Sequence, residues 1–586
     1  MLRVSREVVL VVCGALLSAT GCSDSDDAGG GGSSGAGAGK GGGSGAGGAS
    51  SGASGKGGTS SGGAGASGAN AGTSGASAGK GGAAGAAASA GSSGAGTEGG
   101  GPAEGGEGAG ASGGAAGASG GAAGAGANGG GAGAPPGEAP PSCETPAWDE
   151  ADFTTVYDVG PGQTYETPSD VPWESIAPDT LVRIHRRDTP YTDKWVISVA
   201  ATEAEPVVVL GVPEGGLLPE IRGDGAVTRD GLNYWSETRG IIKIGGSSVP
   251  DLEVAEHVVV ECLDIAGARA ENTFTDDGGA SVNYDDNASA IFLEAGANVT
   301  LRNNRFHDCG NGLFVASQSS NVLVSGNQIF DNGNVDSIYE HNSYTEARGI
   351  VFEFNHYGQL CAGCPGNNLK DRSSGLIVRY NLIEGGNRTL DLVDSEYDTI
   401  NGAPDYDDTF VYGNALVELD DGGNRQIIHY GGDNSEEFFR TGTLHFYHNT
   451  VVSERPSLAT LVRLSSPDAS IDARNNIFYA LAGGQQFAVL EDAGTALLSG
   501  NWLSSGYLEG SPSLTGSVDA SDNVEGETPE FTDPAARDYT LSSASGARGI
   551  GVALAPAAAA HPVEFEFASP SGGVARAVSD AAGAFE

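Results

Sequence analysis

A pattern of eight residues, repeated nine times, limits the possible folds of this chain more than any other feature. It reads apolar, any residue, apolar, two residues, Asn, any residue, apolar, and its first full match is 299–306. The copies recur about every 30 residues, as in repeat proteins, and the later ones span 322–329, 350–357, 376–383, 409–416, 444–451, 471–478 and 496–503. An earlier copy at 258–265 has Leu263 in place of Asn. The period-2 alternation predicts strands with one buried face.

A second short strand follows many of these copies, so each repeat has the make-up of one coil of a solenoid. Asn suits the bend between strands because it tolerates left-handed backbone and its amide can bind the Asn one coil away. The sequence therefore predicts an all-β, single-stranded parallel β-helix with a structural Asn column. Residues 154 to 550 resemble the right-handed parallel β-helix family of carbohydrate-active proteins. We expect entry coils at 154–250, core coils at 258–503 and a closing segment at 504–586, all within a domain at 143–586.

The region before this domain has a different composition. Between Ala28 and Ser142 the chain contains no Val, Ile, Leu, Phe, Tyr or Trp and is rich in Gly, Ala and Ser. Such a segment cannot bury a core, so residues 22–142 are predicted to be a disordered linker.

The N-terminus has the features of an export signal. Arg3 and Arg6 precede an apolar run at 8–17, which predicts a signal peptide at 1–21. The small residues before Cys22 resemble the lipobox of bacterial lipoproteins, which implies lipidation at Cys22. Ordinary cleavage that leaves Cys22 as a spare thiol is the alternative. We expect an exported lipoprotein at the outer membrane or cell surface of a Gram-negative bacterium, held to the membrane through the lipid on Cys22.

The charge of the chain excludes some partners. It has 75 Asp and Glu against 29 Lys and Arg, a net charge of −46. An acidic body repels nucleic acid and anionic lipid, so we expect no nucleic acid partner. Polysaccharide is the partner that the β-helix resemblance implies.

Seven cysteines are present, and Cys361 and Cys364 are close together in a Gly- and Pro-containing loop. A local disulfide between them is the favoured interpretation in an exported protein. A metal site and two free thiols are the alternatives.

Acidic loops occur where the spacing between Asn positions is long. Clustered carboxylates on loops provide the oxygen ligands that Ca²⁺ requires. We therefore expect Ca²⁺ as a candidate cofactor, with Asp394, Glu396 and Asp433 as its ligands.

Charged residues recur at similar offsets after successive Asn positions. Lys370, Asp391, Asp394, His429 and Arg463 lie 10 to 15 residues after the Asn of their coil, which predicts that they stack along one face. The candidate catalytic residues are Lys370, Arg372, Asp391, Asp394 and His429. The candidate substrate-binding residues are His341, Tyr344, Arg379, Arg388, Asp433 and Arg463.

Two reactions are compatible with these residues. A polysaccharide lyase removes the proton beside a uronate carboxylate, and Lys370 could be its base if burial or nearby cations depress its pKa. The sequence around Lys370, with Arg-Tyr-Asn at 379–381, resembles the β-helix lyases of alginate and dermatan. It departs from that family at Gly363 and Pro365, where the family has an acidic pair. A glycoside hydrolase would instead use two carboxylates from Asp391, Asp394 and Asp433.

Two non-catalytic alternatives remain. Lys370, Asp371 and Arg372 could form an ion-paired turn that fastens a loop. The domain could also be a carbohydrate-binding or adhesion module. Polysaccharide cleavage by β-elimination is the function we expect first.

Overall fold

The computed structural model describes residues 141–144, 148–420, 423–577 and 579–586. The predicted signal peptide, Cys22 and residues 22–140 of the predicted linker lie outside this part of the chain. Within it, none of the helices has the length and apolar character needed to cross a membrane.

The described residues form a parallel β-helix, which confirms the all-β prediction. Each coil contributes up to three strands, and these pair in parallel with their counterparts one coil away. Ser281–Asn283 differs, because it pairs antiparallel with Thr273–Thr275. The coil around Asn381 is typical: Leu369–Asp371 lies on face one, Ser374–Arg379 on face two and Leu382–Glu384 on face three. Faces one and two join into one sheet because the long strands Asn311–Ser325 and Ser343–Glu353 run through the bend between them.

The strands of the sheet that carries faces one and two are Thr155–Val159, Thr180–His185, Asp193–Ile197, Val207–Val212, Val227–Thr228, Gly240–Ile244, Ala255–Glu256, Val258–Glu261, Thr273–Thr275, Ser281–Asn283, Ser289–Leu293, Gly296–Arg302, Asn311–Ser325, Ser343–Glu353, Leu369–Asp371, Ser374–Arg379, Leu390–Leu392, Asp408–Tyr412, Gln426–Tyr430, Thr443–Tyr447, Ala459–Leu464, Ser470–Arg474, Phe487–Asp492, Thr495–Ser499, Leu508–Gly510 and Ser517–Ala520. The strands of face three are Glu220–Arg222, Asp264–Ala266, Arg305–His307, Gln328–Ile329, His356–Tyr357, Leu382–Glu384, Ala415–Glu418, Thr450–Ser453, Ile477–Ala480, Trp502–Ser504 and Val524–Gly526.

Smaller elements complete the fold. The antiparallel strands are Asn233–Tyr234, Ser247–Val249, Asp251–Leu252, Phe531–Asp533, Asp538–Leu541, Phe565–Phe567 and Gly573–Ala575. The α-helices are Asp398–Asn401 and Pro556–Ala559. The 3-10 helices are Pro141–Glu144, Glu150–Asp152, Pro168–Asp170, Trp173–Ser175, Glu237–Arg239, Glu436–Phe438, Gly484–Gln486 and Pro534–Ala536.

The Asn column forms a continuous hydrogen-bonded ladder, as the repeat predicted. The Asn381 amide donates to Asn414 Oδ1 at 2.9 Å and accepts from the Asn355 amide at 3.0 Å. The left-handed backbone, however, belongs to the residue before the Asn: Tyr380 has φ of 56°. The ladder also extends past residue 503, because the Asn501 amide donates to Asn523 Oδ1. The stacked coils thus continue into the segment that the sequence analysis assigned to closure.

The interior of the solenoid is filled by the apolar residues of the alternating pattern. On face one, Leu390, Leu392, Ile428 and Tyr430 are all buried in the main hydrophobic core. Because side chains alternate along a strand, the residues between them face outward. This alternation places Asp391 and His429 on the outer side of face one.

Two disulfides are present in the described residues. Cys361 joins Cys364, the pair selected from the sequence, and Cys143 joins Cys262. The second pair was missed because its members are separated by 119 residues. It fixes the start of the domain to the coil that contains Leu263.

Candidate functional site

The outer side of face one carries a column of polar residues in direct register. Tyr344 pairs with Lys370, Lys370 with Asp391, Asp391 with His429, and His429 with Arg463. Four of these five are the residues whose offsets predicted stacking. The repeat therefore places them on adjacent coils, and loops after the strands supply their partners.

Lys370 is the centre of a network of ion pairs. Its ammonium lies 2.5 Å from Asp391 Oδ2 and 2.7 Å from Asp433 Oδ2, and the residue is 6% exposed. Burial lowers the pKa of Lys370, but the two carboxylates outweigh burial, so its pKa lies above the ordinary value. A lysine base needs a depressed pKa. The condition set for Lys370 as general base is therefore not met, because Asp391 and Asp433 stabilise its charged form.

Arg372 binds the second oxygen of the Asp433 carboxylate. Its Nη2 donates to Asp433 Oδ1 at 2.8 Å, and its Nε donates to the Tyr344 hydroxyl at 2.8 Å. The Asp433 side chain keeps 35% of its surface exposed. Burial raises the pKa of Asp433, but the charges of Lys370 and Arg372 prevail and lower it. Asp433 is thus an ionised carboxylate, fixed through both oxygens and open to solvent.

The turn that carries Asp433 depends on glycine. A Cβ on Gly432 would clash with the Phe439 ring and would lie 2.7 Å from Asp394 Oδ1, closer than side-chain contacts allow. The Asp433 backbone N–H donates to that same oxygen at 2.7 Å. The absence of a side chain at position 432 therefore lets the loop approach Asp394 and present Asp433 to Lys370.

Asp391 is the buried hub of the network. It is 1% exposed, and it accepts from Lys370, from Asn367 Nδ2 at 2.7 Å and from Arg388 at 3.4 Å. His429 Nδ1 lies 2.8 Å from Asp391 Oδ1. Burial raises the pKa of Asp391, yet Lys370 and His429 hold it well below the ordinary value. Such a saturated, buried carboxylate fits a positioning role better than a reacting one.

Two histidines of the site are buried, His429 in the column and His341 beside it. His429 Nε2 lies 2.7 Å from Ser465 Oγ, and burial lowers its pKa. His341 Nδ1 accepts from the Asn367 backbone N–H at 2.9 Å, and its ring stacks on Tyr344 at 5.7 Å. Burial and the charge of Lys370 lower the pKa of His341 to about 3. His341 is therefore neutral near pH 7, with its proton on Nε2.

The structure does not assemble the predicted calcium ligands into a metal site. Asp394 is fully buried, with Oδ1 bound to the Asp433 backbone and, among the residues described, no hydrogen-bond partner for Oδ2. Glu396 is exposed. Across the described part of the chain, no three His, Cys, Asp or Glu side chains are grouped so that they could hold a metal ion. Calcium therefore stays a prediction, without a preformed ligand set at Asp394, Glu396 and Asp433.

Two predicted substrate-binding residues have other partners. Arg379 lies on face two, where it pairs with Glu353 at 2.6 Å and donates to the Tyr412 hydroxyl at 3.1 Å. This placement corrects its assignment to the site, because its strand follows the bend after Arg372. Arg463 is in register with His429 but forms its ion pair with Asp492 at 2.6 Å.

Two residues of the site were not among the candidate catalytic or substrate-binding residues chosen from the sequence. Arg440 is fully buried beneath the site and donates to the carbonyls of Val393, Tyr406 and Ser373 at 2.9, 2.8 and 2.6 Å. Glu346 is 8% exposed and accepts from Ser395 Oγ at 2.5 Å; burial raises its pKa. No spacing marks Arg440, because its partners come from three separate loops. Glu346 could have been found from its place two residues after Tyr344.

A comparison with protein families agrees with the fold. The family model described as right handed beta helix region matches residues 243–402. A comparison with curated proteins gives no match.

Solved structures are similar at low identity. An alginate lyase from Paenibacillus sp. is 12% identical, with 58% of this chain and 97% of that chain covered and a TM-score of 0.38. A GH136 lacto-N-biosidase from Eubacterium ramulus is 12% identical, with 64% and 68% covered and a TM-score of 0.38. The Streptococcus pneumoniae surface protein and adhesin PfbA is 11% identical, with 58% and 89% covered and a TM-score of 0.37.

Proposed function

We propose that this chain is a polysaccharide-cleaving enzyme whose active site is the outer side of face one around Asp433. The observation that carries the proposal is the pair of ion pairs made by Asp433, with Lys370 at 2.7 Å and with Arg372 at 2.8 Å. The Asp433 side chain nevertheless stays 35% exposed. An oriented, ionised carboxylate at the surface of a rigid scaffold has the properties of a nucleophile or general base. Export and lipidation at Cys22 would place this site where extracellular polysaccharide occurs.

Hydrolysis is the reaction that the environments of the carboxyl groups support best. A glycoside hydrolase needs one ionised and one protonated carboxyl group. The pKa of Asp433 is lowered by Lys370 and Arg372, whereas burial raises the pKa of Glu346. In this proposal Asp433 attacks the sugar or activates water, and Glu346 protonates the leaving oxygen. The proposal replaces Asp391 and Asp394 by Glu346 as the second carboxyl group, because Lys370 and His429 hold Asp391 in its ionised form and Asp394 is fully buried.

Elimination is the second candidate, and one observation favours it. Lys370 and Arg372 already bind a carboxylate between them, so they could bind the carboxylate of a uronate in its place. Lys370 would then neutralise the substrate rather than remove its proton. Tyr344, whose hydroxyl accepts from Arg372 Nε at 2.8 Å, would be the base.

One assay distinguishes the two reactions from binding alone. The purified protein is incubated with neutral and uronate polysaccharides, with and without Ca²⁺, and both new reducing ends and the ultraviolet absorbance of unsaturated sugar are followed. Hydrolysis gives reducing ends without absorbance, and elimination gives both. If neither appears but the glycan is retained on the protein, the domain is a binding module and the enzymatic proposal is wrong.

A further inference from the structure

We propose that Arg239 forms a second subsite, which binds an anionic group, a carboxylate or a sulfate, on the same glycan that Asp433 contacts. This inference deepens the proposed function and rests on it. It makes the substrate an acidic polysaccharide.

A continuous row of contacts connects Arg239 to the candidate active site. The Arg239 guanidinium lies over the rings of Phe292 and Phe314, at 4.6 and 4.3 Å from their centres. The Phe314 ring stacks on Tyr344 at 5.0 Å, and the Tyr344 hydroxyl is bound to Arg372. Phe292, Phe314 and Tyr344 are register partners of the column that contains Lys370. Arg239 therefore borders the same face as Asp433, toward the N-terminal coils.

The charge of Arg239 is not neutralised by an ion pair among the described residues, unlike that of its cationic neighbours. Lys243 pairs with Glu294, whereas Lys370 and Arg372 share Asp433. Arg239 makes a weaker contact, from its Nε to Asn287 Oδ1 at 3.3 Å.

The carboxylates that influence Arg239 already have partners. Asp285 and Glu294 act on its pKa, which burial lowers. Asp285 accepts from Thr238 Oγ1 at 2.8 Å, and Glu294 is bound to Lys243. The half-buried Arg239 guanidinium is thus oriented by two aromatic rings and available to an external anion. Arg forms charge-assisted, bidentate hydrogen bonds with carboxylate and sulfate-like groups.

The separation of the two positions fits one extended ligand. Phe314, which lies under Arg239, and Lys370, which binds Asp433, are two coils apart. Because adjacent strands lie about 4.8 Å apart, Phe314 and Lys370 are separated by about 10 Å along the axis. An oligosaccharide lying along face one would reach both Arg239 and Asp433.

The test measures affinity for matched tetrasaccharides in the cold, before product is detectable. The probes are uronate tetrasaccharides, the same sugars after reduction of their carboxyl groups, and sulfated tetrasaccharides. Arg239→Met removes the charge but keeps an apolar side chain against Phe292 and Phe314. Arg348→Met is the control, because Arg348 is exposed and has no ion pair in the described residues.

We expect Arg239→Met to weaken binding of an acidic tetrasaccharide by about tenfold or more, the loss of one charge-assisted contact. Binding of the reduced sugar should stay unchanged, and Arg348→Met should affect neither. The uronate and sulfate probes identify which anion is bound. Equal weakening for acidic and reduced sugars, or no weakening, overturns the subsite and leaves the active-site proposal standing. If the unchanged protein binds none of the probes, the subsite is overturned, and release of new reducing ends from a neutral polysaccharide would still leave the proposed function standing.

Discussion

Lys370 and Asp391 are direct register partners on adjacent coils, and the Lys370 ammonium donates to Asp391 Oδ2 at 2.5 Å. They are 6% and 1% exposed, so each charge depends on the other for its stability in a poorly solvated place. A lysine in a sugar-cleaving site can be neutral and act as a general base, or it can stay charged and orient carboxylates. The pairing with Asp391 indicates the second role for Lys370.

Replacing Lys370 by Met should lower the free energy of unfolding by about 3–5 kcal/mol, because it leaves Asp391 buried without its cation. The measurement is the midpoint of urea unfolding, compared with Arg463→Met, whose ion pair with Asp492 is more exposed. If Lys370→Met abolished cleavage at unchanged stability, Lys370 would have a chemical role and not a structural one.

Replacing Asp433 by Asn should reduce cleavage by about 100-fold or more, because the ionised carboxylate is lost from the reaction. Its side chain is 35% exposed, so the fold should tolerate the change. The rate of release of reducing ends measures the effect. Asp519→Asn, an exposed Asp near the C-terminal end of face two, is the matched control. Retention of more than a tenth of the activity would contradict the assignment of Asp433.

The stability of the domain should fall with acidification partly because of His341. Its folded-state pKa is lowered to about 3 by burial and Lys370, against about 6.5 in the unfolded chain. Between these values the unfolded chain binds the proton and the folded protein does not. The contribution of His341 is therefore intact above about pH 6.5 and is lost progressively toward pH 3, by about 1.4 kcal/mol per pH unit.

His341→Gln removes this titration, so the slope of unfolding free energy against pH should become shallower between about pH 6 and pH 4. Urea unfolding at several pH values provides the measurement. An unchanged slope would show that the His341 ring is accessible to protons in the folded state.

An Asn in the middle of the ladder should contribute more than the Asn at its N-terminal end. Both amides donate to the next Asn of the ladder, Asn381 to Asn414 and Asn304 to Asn327. Asn381 Oδ1 also accepts from the Asn355 amide, whereas in the described residues Asn304 Oδ1 accepts from the Leu263 backbone N–H and from no Asn amide. Asn381→Leu should therefore cost about 2–4 kcal/mol through unsatisfied buried groups, and Asn304→Leu less. Thermal unfolding midpoints compare the two variants, and equal losses would show that the ladder does not act through its amide bonds.

The local part of the site could be predicted from the sequence. Lys370, Asp391, His429 and Arg463 occupy equivalent positions in successive repeats, and the register aligns them on one face. Arg440 was not predicted, since a loop residue has no period that relates it to its partners. Glu346 lies on the strand Ser343–Glu353 but was not assigned a catalytic role, because its burial depends on the tertiary structure. Arg379 was assigned to the site in error because a bend separates its strand from Lys370.

The sequence by itself determined the repeat, the parallel coils, the Asn ladder and the order of residues along face one, because each depends on spacing within or between adjacent repeats. Only the tertiary structure decided the ion-pair partners and the pKa values of those residues. Asp433 reaches Lys370 across 63 positions of sequence, on a loop whose path the pattern does not specify. The pKa of Lys370 depends on how far burial is offset by that carboxylate and by Asp391. The balance between desolvation and paired charge exists only when the loops have closed over the sheet.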